Sequence, residues 1–267
     1  MVFNPFGSNL VFVWDLIAAV ISIVILLAIV QINGYLQKKG KVSQIITRKL
    51  VHILSGPVFV VTWMLFSGEI ISHYIALIVP LLFVLQFLAI GTGAMKNESF
   101  VASMSRSGDP RELLQGTLYY SIVMVLMTFF WFYVPSTGIG NANPTALLII
   151  GCVSGGDGLA DIIGRKFGGE KKFGIKGSEK TIIGSIGMLV GSILVSSILV
   201  LIFSLEIPNF DILTLILPII FVSIVATIVE ALSPKGTDNF TVFLAVIIVI
   251  LILEFAFPAF WPYPFSF

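Results

Sequence analysis

LVFVWDLIAAVISIVILLAIVQI, residues 10–32, carries a single charge in an otherwise almost unbroken apolar run. About 20 residues at about 1.5 Å rise each cross the hydrocarbon of a bilayer, so this stretch reads as a membrane-spanning helix. Seven further runs of this kind follow at about 50–66, 70–90, 113–134, 144–164, 181–205, 212–232 and 240–259. The second is short and contains Pro57, and the third contains Pro80, which leaves their ends the least sharply marked. None shows the strict alternation of a barrel strand. With 57% hydrophobic and 11% charged residues and a mean hydropathy of +1.07, the composition lies outside the range of soluble domains. The expected fold class is an all-α integral membrane protein, a polytopic bundle of about eight transmembrane helices. No composition shift or linker divides the chain, so residues 1–267 read as a single transmembrane catalytic domain.

Eight spans put the segments 33–49, 91–112, 165–180 and 233–239 on one side of the membrane, and both termini on the other. All 15 Lys and Arg fall on the first side: Lys38, Lys39, Lys41, Arg48, Lys49, Lys96, Arg106, Arg111, Arg165, Lys166, Lys171, Lys172, Lys176, Lys180 and Lys235. The positive-inside rule makes that side cytoplasmic and both termini non-cytoplasmic. The N-terminal MVFNPFGSNL lacks the basic start and small-residue cleavage site of a signal peptide, so the first span is expected to be retained. The expected location is that of a multi-pass integral membrane protein, in the cell (inner) membrane if the source is prokaryotic, with its chemistry at the cytoplasmic face. A net charge of +1 gives no field for nucleic acid. The single cysteine, Cys152, excludes an internal disulfide and a cysteine-based metal site.

Against this background GGDGLADIIGRKFGGEKKFGIKGSEKTIIGSIG, residues 155–187, stands apart. Asp157 and Asp161 are four apart on one helical face, and Arg165 continues the stripe. An ionised Asp at the centre of a span costs roughly 2.5–3.5 kcal/mol even on the milder scales, so such residues are paired, hydrated or ion-binding. Asp157 is roughly 12 Å of helix before Arg165, which puts both acids just below the cytoplasmic interface. Gly155, Gly156 and Gly158 read as room for a ligand to approach the backbone beside the acids. Gly151 with Gly155, and Gly187 with Gly191, give small-xxx-small spacing for close helix packing.

Other polar groups reach the same depth. Arg48 and His52 open the second span, Glu230 ends the seventh, and Asp238 and Asn239 begin the eighth. Carboxylates without a His/Cys cluster suit Mg²⁺, a hard ion bound by one or two carboxylates and phosphate oxygens. Arg165, Lys166, Lys171, Lys172, Lys176 and Lys180 alternate with glycines after Asp161, a cationic segment suited to a polyphosphate. It is not a P-loop, since Gly169 and Gly174 are followed by Ile175 and not directly by Lys.

Three stretches resemble the integral-membrane polyprenol kinases, which comprise phytol kinases, dolichol kinases and CTP-dependent diacylglycerol kinases: RKLVHILSG (48–56), GDGLADIIGRKFG continuing to GSEKTIIGS (156–185), and VEALSPKGTDNFTV (229–242). One departure is Phe243, where that pattern has Pro. The resemblance implies transfer of the terminal phosphate of a nucleotide, often CTP, to a lipid alcohol such as phytol, geranylgeraniol or dolichol, with Mg²⁺. On this reading Asp157, Asp161, Glu230 and Asp238 are metal ligands, and these four with Lys180 are catalytic. Arg48, His52, Arg165, Lys166, Lys172, Lys176, Ser178, Lys180, Thr181 and Asn239 contact the nucleotide. Which acid serves as base stays open at this point. A CTP-dependent diacylglycerol kinase is one alternative. The central stretch is also similar to a remote phosphatidate cytidylyltransferase signature through Lys180-Thr181-Ile182-Ile183-Gly184, but Ser178-Glu179-Lys180 replaces that family's serine-proline-lysine. A cation-coupled transporter would also use intramembrane acids, yet the polar residues cluster at one face and no inverted repeat is visible.

Overall fold

A computed structural model of the chain describes residues 5–6, 8–105, 107–132, 143–170, 172–207, 209–234 and 236–263. Arg106, Lys171 and Lys235 lie outside the described residues. The helices are α1 (Val11–Lys38), α2 (Gln44–Thr62), α3 (Ile70–Gly91), α4 (Glu98–Met104), α5 (Gly116–Trp131), α6 (Thr145–Ile150), α7 (Asp157–Phe167), α8 (Ile182–Ser204), α9 (Ile212–Ala231) and α10 (Asp238–Ala256). Eight segments among the described residues are long and apolar enough to cross a membrane, and each coincides with one expected run.

The boundaries differ where local chemistry extends a helix beyond its apolar run. Ser43 caps α2 by accepting from the Ile46 N–H, so that helix starts well before residue 50 and places Arg48, Lys49 and His52 on regular helix. A short 3₁₀ turn, Trp63–Leu65, carries the same span on past Pro57. The segment after α3, expected to be a plain loop, contains α4, which is capped by Asn97, and a 3₁₀ turn at Pro110–Leu114.

The fifth span is one continuous run of α6, a π-helical segment Gly151–Gly156, and α7. Within its apolar window 72% is buried, against 33–44% for the other seven, so this helix is the centre of the bundle and the others surround it. Each surrounding helix keeps an apolar stripe outward. On α8, Ile182, Ile186, Val190, Leu194, Ile198 and Leu201 are exposed at helical spacing, while Gly187, Gly191, Ser192 and Ser196 face inward. α10 repeats the pattern, and Phe243 sits on its buried side without interrupting the helix.

The inward glycines bring the fifth span against α8. A Cβ on Gly155 would strike Val195 and lie 2.8 Å from the Gly191 carbonyl, and one on Gly156 would strike Ser192 and Met188. Gly158 has the same relation to Ile53 of α2. The room expected for a ligand at these three glycines is therefore filled by neighbouring helices, because a π segment at the bundle centre has protein on every side. The only strands among the described residues are β1 (Lys172–Phe173) and β2 (Lys180–Thr181), an antiparallel pair with Lys172 opposite Thr181, a small addition to an otherwise helical protein.

Candidate functional site

Asp157 is the first residue of α7, directly after the π segment, and is 7% exposed. Lys49 Nζ lies 2.9 Å from its Oδ2, and His52 Nε2 lies 3.2 Å from the same oxygen. His52 is fixed from several sides. Its Nε2 is 2.9 Å from the Val153 carbonyl, its ring packs on Tyr120, and its own carbonyl accepts from Tyr120 Oη and Ser154 Oγ. The π segment thus sets its own side chains and carbonyls against α2, in line with the frequent use of π segments at functional sites.

Glu230, at the end of α9, is 2% exposed and is ion-paired with Lys180. Lys180 Nζ also lies 3.5 Å from Asp238 Oδ2 at the start of α10. Asp157, Glu230 and Asp238 each offer one oxygen within 4.8 Å of the others. Asn239 donates to the Gly116 carbonyl at 3.0 Å, and its Oδ1 is buried with no partner among the described residues. Lys180 is held there by its loop. Gly174 has φ +101°, a conformation that favours glycine, and a Cβ on it would lie 2.7 Å from the Ala231 carbonyl. Ser178 Oγ donates to the Ser233 carbonyl at 2.9 Å, so the loop is pinned across the α9–α10 turn. Burial opposes the charge of Lys180, but Glu230 and Asp238 outweigh it and hold the ammonium above the ordinary lysine value.

Of the expected acids, then, the structure brings together Asp157, Glu230 and Asp238. Asp161 lies one turn beyond Asp157 in a cationic setting, 2.7 Å from Arg165 Nε, 3.7 Å from Arg48 and 3.8 Å from Lys49. Of the expected nucleotide contacts, Arg48, His52, Lys180 and Asn239 lie around the acids. Arg165 is tied to Asp161, Ser178 pins the loop, and Thr181 caps α8 by accepting from the Gly184 N–H. Lys166, Lys172 and Lys176 are exposed, with Lys166 over the Phe167 ring. Lys49 was read only as a topology charge, yet it is buried and pairs with both Asp157 and Asp161. Its spacing of three from His52 is the signal that places both on one helical face.

A cavity of about 290 Å³ opens onto this cluster. Its polar end is formed by Arg48, Lys49, His52, Asp157, Asp238 and Asn239, and its far end is apolar, with Leu26, Phe59, Val79 and Met124. Glu230 is not among its lining residues. Three hard carboxylate oxygens and a spare amide oxygen match the donor preference of Mg²⁺, and the paired lysines show that the acids are already organised around positive charge. An elongated apolar chain with one polar end matches the cavity's division.

The chain is similar to several plant proteins. It is 39% identical over 183 residues to "Probable phytol kinase 2, chloroplastic" of Oryza sativa subsp. japonica, covering 68% of this chain and 57% of the relative. It is 36% identical over 227 residues to "Probable phytol kinase 1, chloroplastic" of Glycine max, covering 83% and 71%. To "Farnesol kinase, chloroplastic" of Arabidopsis thaliana it is 37% identical over 212 residues, covering 78% and 66%. The chain thus spans little more than half the length of the rice relative. No protein-family model and no solved structure matches it.

Proposed function

The chain belongs to the polyprenol and phytol kinase family, and on that premise we propose that it is a lipid-alcohol kinase, transferring the terminal phosphate of a nucleotide to an isoprenoid alcohol. The observation that carries this reading is the cavity, in which an apolar slot ends beside Asp157 and Asp238 of the three-acid group, with Arg48 and the buried Lys49. Residues 1–267 act in this reading as one catalytic unit at the cytoplasmic face, with both termini on the opposite side, and CTP is the donor.

The alcohol enters with its chain between α1, α2, α3 and α5 and its hydroxyl towards Asp157 and Asp238. Of the three clustered acids these two line the cavity and Glu230 does not, while the cavity's other acid, Glu112, accepts from Ser107 outside the cluster; the acceptor of the hydroxyl proton is therefore assigned to Asp157 or Asp238. The hydroxyl oxygen forms the new bond to the terminal phosphorus, the bond to the nucleoside diphosphate breaks, and the hydroxyl proton passes to that carboxylate. Lys180 and Arg48 neutralise charge on the phosphates, while Lys49 and His52 hold Asp157 in place. Phosphoryl transfer needs mainly such positioning and charge neutralisation. Asp157, Glu230 and Asp238 would hold Mg²⁺, whose chemistry there would be neutralisation of phosphate charge. Apolar walls around the slot keep water from competing as acceptor.

The test is incubation of the purified protein with CTP or ATP labelled in the γ-phosphate and a panel of geraniol, farnesol, geranylgeraniol, phytol, dolichol and diacylglycerol. Labelled prenyl monophosphate is expected. Label only in phosphatidate would make it a diacylglycerol kinase, and label released as pyrophosphate, with a CDP-lipid formed, when phosphatidate is supplied as acceptor would make it a cytidylyltransferase.

A further inference from the structure

The apolar slot has a defined floor. On α5 the lining runs from Gly116 to Met124, and on α3, which runs the opposite way, from Phe87 to Val79; each is about 12 Å of helix. On α2 it runs from His52 to Phe59, about 10 Å. The deepest lining residues on four helices are therefore Leu26, Phe59, Val79 and Met124, and all four belong to one buried core cluster. Phe59 has the largest side chain of the four. Its ring meets Trp63, one turn further on, edge to face at 5.9 Å, and Trp63 is fully buried.

An extended carbon chain advances about 1.2 Å per bond, so the slot takes roughly eight to ten bonds. That lies between the main chains of geraniol (about eight carbons) and farnesol (about twelve), and falls short of phytol (about sixteen) by more than a helical turn. We propose that Phe59, closing the slot with Val79 and Met124, is the residue that sets chain length, and that it makes this kinase favour geranyl- and farnesyl-sized alcohols over phytyl-sized ones. The proposal rests on the alcohol-kinase reading above. Phe59→Ala would open the slot to Trp63, four residues or about 6 Å deeper, most of the length by which the phytyl chain overshoots.

The experiment is kcat/KM for farnesol and for phytol, measured on the same preparation of wild type, Phe59→Ala, Phe59→Leu and Val79→Phe. The phytol-to-farnesol ratio cancels any loss of active protein. It should lie below one in the wild type, rise about tenfold in Phe59→Ala and several-fold in Phe59→Leu, and fall in Val79→Phe, in line with what a pocket discriminates per methylene. If Phe59→Ala does not fold, the other two variants decide. A wild-type ratio at or above one, or ratios within twofold of wild type in every active variant, would overturn the floor while leaving the kinase reading intact. A wild type that phosphorylates no prenyl alcohol would overturn that reading, and the chain-length proposal with it.

Discussion

Asp157→Asn leaves Lys49 and His52 facing a neutral amide and removes one charge from the group of three acids. Turnover should fall at least a hundredfold in a steady-state assay, with the protein still monodisperse on purification, because an amide is cheaper than an ion in the membrane. Asp161→Asn keeps that group intact and loosens Arg48 and Arg165 instead, so it should act mainly on the KM for nucleotide, by about tenfold. Equal collapse of turnover in both variants would contradict this division. Lys180 offers a second separation. Lys180→Met leaves Glu230 buried without its partner and should cost about 3 kcal/mol in a denaturation assay, whereas Lys180→Met with Glu230→Gln should regain most of that stability and none of the activity. Asp157 stood out in the sequence because a carboxylate in an apolar run needs a reason. Lys49 did not, because a lysine at the cytoplasmic end of a span is fully accounted for by topology until its partner is seen. Asp161 was indistinguishable from Asp157 by face, and only the approach of the Glu230 and Asp238 carboxylates to Asp157 separates them.

Among the elements, the contact of α7 with α2 sets the distance between Asp157 and the Lys49–His52 pair. A Cβ on Gly158 would collide with Cγ1 of Ile53, so Gly158→Ala should push the helices apart, costing about 1–3 kcal/mol and much of the activity. Adding Ile53→Ala should restore part of both, as measured by thermal midpoint and turnover; an unimproved double variant would show that the glycine matters for another reason. At the other end of the bundle, Asp211 caps α9. The backbone N–H of Leu213 and the Thr214 side chain, with the Thr214 N–H, hold its carboxyl below the ordinary carboxylate range. A depressed folded-state value means that the cap contributes fully above about pH 4 and is lost as the pH falls through that lower value. The difference in thermal midpoint between wild type and Asp211→Ala should therefore be largest near neutrality and shrink as the pH falls below the ordinary carboxylate range. The eight long helices were readable because about 20 apolar residues have few other uses, and their glycine pairs foretold close packing. The π segment and α4 were not, since a π turn changes no periodicity that hydropathy resolves and α4 is too short to show one.

For the whole molecule, the clustered acids, their paired cations and the polar cavity end gather at one end of the bundle. At the other end Asp15 is satisfied by Ser67 and Ser72, and Tyr263 bonds to the Asn209 carbonyl. With eight spans, a reporter inserted in the 172–181 loop should read as cytoplasmic and one after Phe267 as non-cytoplasmic, and a cytoplasmic C-terminus would contradict that orientation. The most direct measurement of the central claim uses CTP carrying label in the γ-phosphate in one reaction and in the α-phosphate in another, each with farnesol and purified protein. A prenyl monophosphate labelled only from the γ position, formed by the wild type and lost in Asp157→Asn, is the predicted result. Lipid labelled from the α position, or γ-dependent lipid labelling that survives in Asp157→Asn, would contradict it.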